Sequence, residues 1–584
     1  MTVTRRITYH NDYVDNQPQL TDHPILDQIY RARGIEKPED LETSLQGLLD
    51  FDQLLGMSQA VERLYQALQH QECIMILGDF DVDGATSCTV AIKALTALGS
   101  NSVYYQVPNR FEFGYGLTPE IVDVVYQDKA PDLIVTVDNG IANHQGVDRA
   151  NELGIDVVVT DHHLPAETLP AAYAIVNPNQ PNDSFPSKCL AGCGVIFYVL
   201  LALRKRLREV GWFEQQGLAE PNMGQYLDLV ALGTVADVVP LDKNNRILVD
   251  QGLKRIRNEQ CCAGIKALLE ISKRRLPRVG ASDLSFAVAP RLNAAGRLED
   301  MTVGIECLLS KDSLQATQLA FQLQQLNDQR RTIEDEMKQQ AFNILKQLDV
   351  SEQQQDPDRG ICLFGPEWHQ GVIGIVASRL KDHWYRPTIV FAPDGDEWIK
   401  GSGRSISEVH MRDLLARIDA RHPELIDKFG GHAMAAGLSL KRCHFDAFRQ
   451  AFQKEISELL AGVDVDQRLL CDAQLREQDL SVEFAAMLER AGPWGHHFPE
   501  PLFANRFYIV EQRIVGHKHL KMVLAKGDCL LDGIAFNVDL ERWPNHRCRY
   551  AQIAYRLVIN EFRGRQNPQA MIEFIEPLTE ESAS

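Results

Sequence analysis

Four short segments of the sequence carry carboxylates and imidazoles in patterns that suit divalent-metal chemistry. GDFDVDG (78–84) sets Asp79, Asp81 and Asp83 at alternate positions, and VDNG (137–140) supplies Asp138. TDHH (160–163) supplies Asp161, His162 and His163, and ALGTVADVVPL (231–241) supplies Asp237. Carboxylates crowded together away from water are costly unless cations neutralise them. Oxygen-rich ligands joined by an imidazole suit Mg2+ or Mn2+ better than zinc, which favours cysteine and more histidine. Each segment taken singly has an ordinary reading. The first could be a solvated turn or a calcium loop, although Val90 stands where an EF-hand needs its glutamate. A histidine pair is more often surface or core than ligand, and an aspartate after a strand is often a helix cap.

What raises the set above its parts is the pattern of elements that must position it. ECIMIL (72–77), VYYQV (103–107), DLIVTV (132–137), IDVVVT (155–160) and AYAIV (172–176) are short, apolar, β-branched runs. Most are separated by helix-length segments such as ATSCTVAIKALTALG (85–99). Alternation of this kind predicts βαβ units and a parallel sheet. In an open parallel sheet the carboxyl ends of the strands share one edge, and ligands bind in the crevice there. Topology alone therefore brings three of the four segments together, while Asp237 falls at a predicted helix end.

The rest of the chain divides by pattern. Residues 1–70 read as a helical extension, 71–305 as the parallel-sheet domain, and 306–355 as a connecting helix and linker. The helix is expected over 311–348, which has no Gly or Pro, before the polar stretch DVSEQQQDPDRG (349–360). A second, smaller α/β domain is expected over 356–462, from ICLFG (361–365), a helix near 371–383, PTIVFA (387–392) and WIKGSGRS (398–405). From 463 to 584 five alternating runs predict a β-barrel of OB type. The fold class is thus α/β, with two α/β domains joined by a long helix and a barrel at the end.

Composition bounds the function. The 584 residues contain 45% hydrophobic and 24% charged residues, ordinary for a globular chain of three or four domains. No apolar run reaches the length of a membrane helix and the first residues lack a signal-peptide core, so a cytoplasmic protein without membrane contact is expected. The 12 cysteines form no CxxC pair and read as reduced. A net charge of −20 argues against nucleic acid as partner at first sight. Local potential matters more, however, and carboxylates gathered for metals contribute to the acidity. The basic run 254–278, with eight Lys or Arg against Glu259 and Glu270, reads as a solvated helical face.

The order GDFDVDG, VDNG, TDHH, GTVADVVPL resembles the four motifs of the DHH phosphoesterases, named for the triplet that Asp161, His162 and His163 match. WHQGVIGIVASRL (368–380), KGSGRS (400–405) and FGGHAMAAGL (429–438) resemble the DHH-associated domain. PRLNAAGR (290–297) and GPWGHHFPEPLF (492–503) narrow the likeness to the single-strand-specific exonucleases of that superfamily. The resemblance covers about residues 70–577, with small departures at Phe80, Cys193 and Phe562 that touch no expected ligand.

The resemblance implies that Asp81, Asp83, Asp138, His162 and Asp237 hold two divalent cations, Mg2+ or Mn2+, with Asp138 bridging. Two such ions activate water and stabilise in-line displacement at phosphorus. Asp79 is expected as a ligand or as a neighbour that supports one. His163 is expected to contact the scissile phosphate or to help proton transfer, and Asp161 to orient the imidazoles. Arg110, Arg297, Ser402 and Arg404 are expected to form a pocket for a 5′-terminal phosphate, Arg110 beside Gly114–Gly116, Ser402 and Arg404 in a Gly-flanked loop, and Arg297 beside an NAAG turn. Gly430, Gly431 and His432 are expected to line the cleft, and Lys518 and Lys521 to meet DNA on the barrel, near Arg513, Phe507 and Tyr508. The implied activity is 5′→3′ hydrolysis of single-stranded DNA to mononucleotides in recombination and repair. The implied protein is a monomer whose partners include a single-strand-binding protein and a helicase. A small-substrate phosphoesterase and a metal-free DNA-binding scaffold are the rival expectations.

Overall fold

The computed structural model describes residues 5–10, 19–109, 113, 116–351, 359–463, 465 and 467–578, with side chains left undescribed over 346–351. It divides into two units, one of residues 7–324 and 470–584, the other of residues 325–469 with the first six.

The expected helical extension contains more than helix: a strand forms at Arg5–Tyr9 ahead of helix α1 (Pro24–Ala32). The parallel sheet follows: β1 (Ile74–Leu77), β2 (Val103–Gln106), β3 (Leu133–Val137), β4 (Asp156–Thr160) and β5 (Ala174–Val176), ordered β2-β1-β3-β4-β5. Every residue of β1 and β3 is buried, as a sheet covered on both faces requires. One face packs on Leu117 and, from the crossover helices, on Ile121, Val122, Val125 and Val147. Helix α2 (Val82–Ala97) leaves β1 directly, and α3 (Gly192–Glu209) and α4 (Leu227–Ala236) pack against it. Helix α5 (Ala289–Leu298) continues from a π-helical turn at Leu284–Val288. The expected NAAG turn is therefore part of a helix. Gly296 is there because α5 passes so near the loop after β1 that a Cβ would lie 1.9 Å from the Phe80 carbonyl oxygen.

The long helix α6 (Ser313–Ser351) runs 39 residues, close to the expected span. In the smaller unit, β6 (Ile361–Phe364), helix α7 (Ile373–Trp384), β7 (Thr388–Asp394), β8 (Trp398–Arg404), β9 (Lys428–Gly431) and β10 (Ala435–Lys441) make a mixed sheet ordered β9-β10-β8-β7-β6. KGSGRS is consequently not a loop. It is strand β8, hydrogen-bonded to β10 on one side and β7 on the other. Its glycines serve packing: a Cβ on Gly401 would sit 2.5 Å from the Phe391 ring.

At the chain end β11 (Phe503–Val515), β12 (His519–Lys526), β13 (Cys529–Ala535), β14 (Tyr550–Phe562) and β15 (Arg565–Leu578) close into a barrel. Phe503, Phe507, Leu520, Leu524 and Tyr555 are among its buried residues. Phe507 is thus core, whereas Tyr508 packs edge-on against Tyr550. The basic run 254–278 is largely paired: Lys254 with Asp250, Lys266 with Glu259, Arg274 with Asp283. Arg275 and Arg278 reach Glu561 of β14, and Arg278 also reaches Glu489.

Candidate metal centre

The carboxyl ends of β1, β3 and β4 bring the acidic segments together. Asp79 follows β1, and Asp81 is the N-cap of α2, its Oδ1 accepting the Gly84 N–H at 3.0 Å. Asp83 lies in the first turn of α2, fully buried, and accepts the backbone N–H groups of Gly192 at 2.6 Å and Cys193 at 3.0 Å. The start of α3 thereby fixes one carboxylate of the cluster. Asp138 follows β3 in a left-handed conformation, φ 63°. Gly192 approaches it so closely that a Cβ would lie 2.6 Å from its own. Asp237 ends α4 as its C-cap.

Three overlapping donor groups result: Asp79, Asp81 and Asp138; Asp138, His162 and His163; and Asp83, His162 and Asp237, with the donor atoms of each group within 4.8 Å of one another. His162 Nε2 lies 3.1 Å from Asp138 Oδ1 and 3.5 Å from Asp237 Oδ2. Asp161 stands behind this layer. Its Oδ1 accepts the His162 and His163 backbone N–H groups at 2.7 and 3.1 Å and meets His163 Nδ1 at 2.8 Å, while Oδ2 accepts the Ile141 N–H at 2.9 Å. Two asparagines that the sequence reading passed over lock the same loop. Asn177 and Asn179 donate to the carbonyls of His163 and His162 at 2.9 and 2.6 Å. Their signal in the sequence is the NPNQ turn directly after the β5 run.

Burial, and after it the repulsion of neighbouring carboxylates, pushes Asp83 up to about 6 and Asp138 and Asp237 well above the usual range. Carboxylates so disfavoured as anions are compensated when a divalent cation sits among them. The oxygen-rich donor set with His162 beside it fits Mg2+ or Mn2+. Burial works against the His163 imidazolium, but the hydrogen bond to Asp161 and the charges of Asp161, Asp237 and Asp79 outweigh it and raise the group to about 9. Asp161 is lowered despite its burial, through both histidines and its backbone donors.

The remaining expected site residues fall elsewhere. Arg110, Gly114 and Tyr115 lie outside the described residues. Arg297 is half-buried in the last turn of α5. Ser402 and Arg404 share strand β8, with Arg404 Nη1 donating to Ser402 Oγ at 3.0 Å and to the Gly403 carbonyl at 2.7 Å. Burial lowers the Arg404 guanidinium below its usual range. The start of α7 lies against the pair, since a Cβ on Gly374 would meet Arg404 Nη2 at 2.9 Å and Ser402 Oγ at 3.0 Å. Gly430 and Gly431 end β9, and His432 is exposed in the turn to β10. On the barrel Lys518 is exposed, Lys521 lies 3.6 Å from Asp532, and Arg513 lies 3.6 Å from Glu511.

Three family models match the chain: the DHH family N-terminal domain over residues 73–234, the DHHA1 domain over 358–458 and the RecJ OB domain over 471–573. The single-stranded-DNA-specific exonuclease RecJ of Dickeya dadantii is 53% identical over 576 residues, covering 98% of this chain and 99% of that protein. The crystal structure of RecJ from Thermus thermophilus in complex with Mn2+ is similar with a TM-score of 0.77 at 31% identity, covering 96% of this chain and 77% of that one. The Mg2+ complex of the same protein gives a TM-score of 0.72 at 28% identity, covering 96% and 76%. On the shared DHH motifs, the converging donor groups and this end-to-end likeness, the chain belongs to the RecJ family of single-stranded-DNA-specific exonucleases.

Proposed function

We propose that this protein hydrolyses single-stranded DNA from its 5′ end, releasing 5′-mononucleotides with the help of two divalent cations, in recombination and repair. The observation that carries the hydrolytic part is the convergence of the three donor groups on one sheet edge. Asp81, Asp83, Asp138, His162 and Asp237 would hold the ions. Asp138 belongs to two of the groups, which supports its bridging place, and Asp79 shares a group with Asp81 and Asp138, which supports direct ligation. Bound there, the ions supply activation of water and stabilisation of the charge that grows at phosphorus during in-line displacement.

The side chains around them do the rest. Asp161 holds His163 by Nδ1, which sets the ring to pass a proton toward the scissile phosphate or the leaving oxygen. Asn177 and Asn179 keep the histidine loop in register. A terminal phosphate is assigned to Arg404 and Ser402. The guanidinium, the hydroxyl and the start of α7 are brought close together, and a guanidinium beside a helix N-terminus suits a doubly charged anion. For Arg110, Arg297, Gly430, Gly431 and His432 a DNA-binding role is supported by the family's pattern alone. So are a single-strand-binding protein and a helicase as partners, a monomeric state and a cytoplasmic location.

The test is digestion of a long single strand labelled at either end, with Mg2+ or Mn2+, with and without chelator. Metal-dependent release of labelled mononucleotide from the 5′ end is the expected result. Release from the 3′ end would overturn the polarity, hydrolysis confined to very short or cyclic substrates would assign a small-substrate enzyme, and binding without cleavage would assign a scaffold.

A further inference from the structure

Helix α5 and the π-helical turn before it touch the metal centre's supporting segments at two points. In the π-turn, Ser285 Oγ donates to the Val235 carbonyl at 3.0 Å, two residues before Asp237 at the end of α4. Farther along, Gly296 lets α5 approach the carbonyl of Phe80, which stands between Asp79 and Asp81. One helical segment thus joins the end of α4 to the loop that carries the first acidic motif.

The open face of that segment has an unusual make-up. From 286 to 297 four residues reach solvent, Phe286, Pro290, Asn293 and Arg297, and all the others are buried. Spacings of four, three and four place these four on one helical stripe. The stripe holds no carboxylate, although the chain as a whole has a net charge of −20. A solvated helix face ordinarily carries charged and polar groups, yet here the Phe286 ring is 75% exposed. Val238, next to Asp237, is 59% exposed, so two open apolar side chains lie at the end of α4. A single exposed apolar residue needs no partner. An aromatic ring in line with an amide and a guanidinium, beside a cluster of metal donors, suits a single nucleic-acid strand, whose bases stack on aromatic faces. In a duplex each base face is covered by its neighbours, and taking a base out of that stack is costly.

We infer that Phe286 is a stacking platform for a nucleobase of the single strand beside the metal centre. The ring grips a base face that an unpaired strand offers and a duplex keeps covered, so the contact selects for single strands as well as positioning them. The inference rests on the single-strand hydrolysis proposed above.

The experiment measures kcat/KM for single strands that each carry one stable abasic residue, a tetrahydrofuran, at successive positions from the labelled end. In the parent, loss of the stacked base should slow cleavage roughly five- to a hundredfold, the range of one base–aromatic stack. Phe286→Ala should lose a similar factor on the intact strand and show no further loss at that position, because base and ring are two halves of one contact. Phe286→Tyr keeps an aromatic face and should behave as the parent on both kinds of strand. Mn2+ affinity without DNA, measured by calorimetry, should be the same in all three proteins. Parent-like cleavage by Phe286→Ala, an abasic effect of the parent's size in that variant, a tyrosine that fails to rescue, or a loss of Mn2+ affinity would each overturn the stacking role. A parent that leaves single strands uncut overturns the proposed function and the inference with it. A parent that cuts them equally well whichever base is missing overturns the inference alone.

Discussion

Asp83 and Asp138 meet at one sheet edge, yet their carboxylates have different second duties. Asp83 satisfies two buried backbone donors at the start of α3, whereas Asp138 is crowded by Gly192 and by the carboxylates around it. Both Asp83→Ala and Asp138→Ala should abolish metal-dependent cleavage. In chelator they should part company. Asp138→Ala relieves repulsion and should melt no lower than the parent. Asp83→Ala leaves the Gly192 and Cys193 N–H groups without their acceptor and should lose about 1–3 kcal/mol. Thermal melts of the two variants in chelator check this, and equal melting would remove the structural duty from Asp83. Arg404 gives a second prediction at this scale. Arg404→Ala should reduce the preference for 5′-phosphorylated over 5′-hydroxyl strands roughly tenfold to a hundredfold, as the loss of a charge-assisted contact implies. Competition between the two labelled ends measures it, and an undiminished preference would place the phosphate elsewhere.

At the scale of elements, the centre depends on how closely α4 packs on α2 and α3. Gly233 makes that approach possible: a Cβ there would meet Thr86 Oγ1 at 2.3 Å, Cys193 Sγ at 2.5 Å and Asp83 Oδ1 at 2.7 Å. Gly233→Ala should push α4 outward and carry Asp237 with it. The expected result is a loss of about 1–3 kcal/mol from overpacking, together with loss of the stabilisation that Mn2+ confers on the parent. Melts with and without Mn2+ separate the two effects, and a variant that Mn2+ still stabilises fully would show that Asp237 had not moved. Elements were also where reading from residues alone went astray. KGSGRS and NAAG carry small residues that usually mark turns, yet the first is a paired strand and the second a helix. In both, glycine answers a partner far away in the chain, Phe391 for Gly401 and Phe80 for Gly296, and local pattern holds no trace of such a partner.

For the whole molecule, the net charge of −20 leaves DNA binding to local groups. Much of the basic run at 254–278 is spent on acids, two of its arginines on Glu561 of the barrel, so that run adds little to DNA affinity. Lys518 is exposed, while Lys521 is near Asp532. Lys518→Glu should lower the slope of log affinity against log salt by at least about 0.7, the share of one phosphate contact on a single strand. Lys521→Glu should change it less, because its charge is already partly neutralised. Fluorescence titration of a labelled strand across salt concentrations tests both, and an unchanged slope for Lys518→Glu would turn that face of the barrel away from DNA.

The sequence by itself determined the parallel sheet, its strand-end carboxylates and the barrel, because strand periodicity, β-branched runs and the rule that ligands lie at strand carboxyl ends are all local or topological. It also singled out the residues of all three donor groups, since each follows a strand or ends a helix that the pattern makes visible. Only the tertiary structure decided which backbone donors hold Asp83, that Asn177 and Asn179 lock the histidine loop, and that Ser285 ties the turn before α5 to the end of α4. These are contacts between groups far apart in the chain or between a side chain and a bare backbone atom. A peptide N–H or carbonyl is the same at every position, so no residue type announces which one a carboxylate or an imidazole will meet.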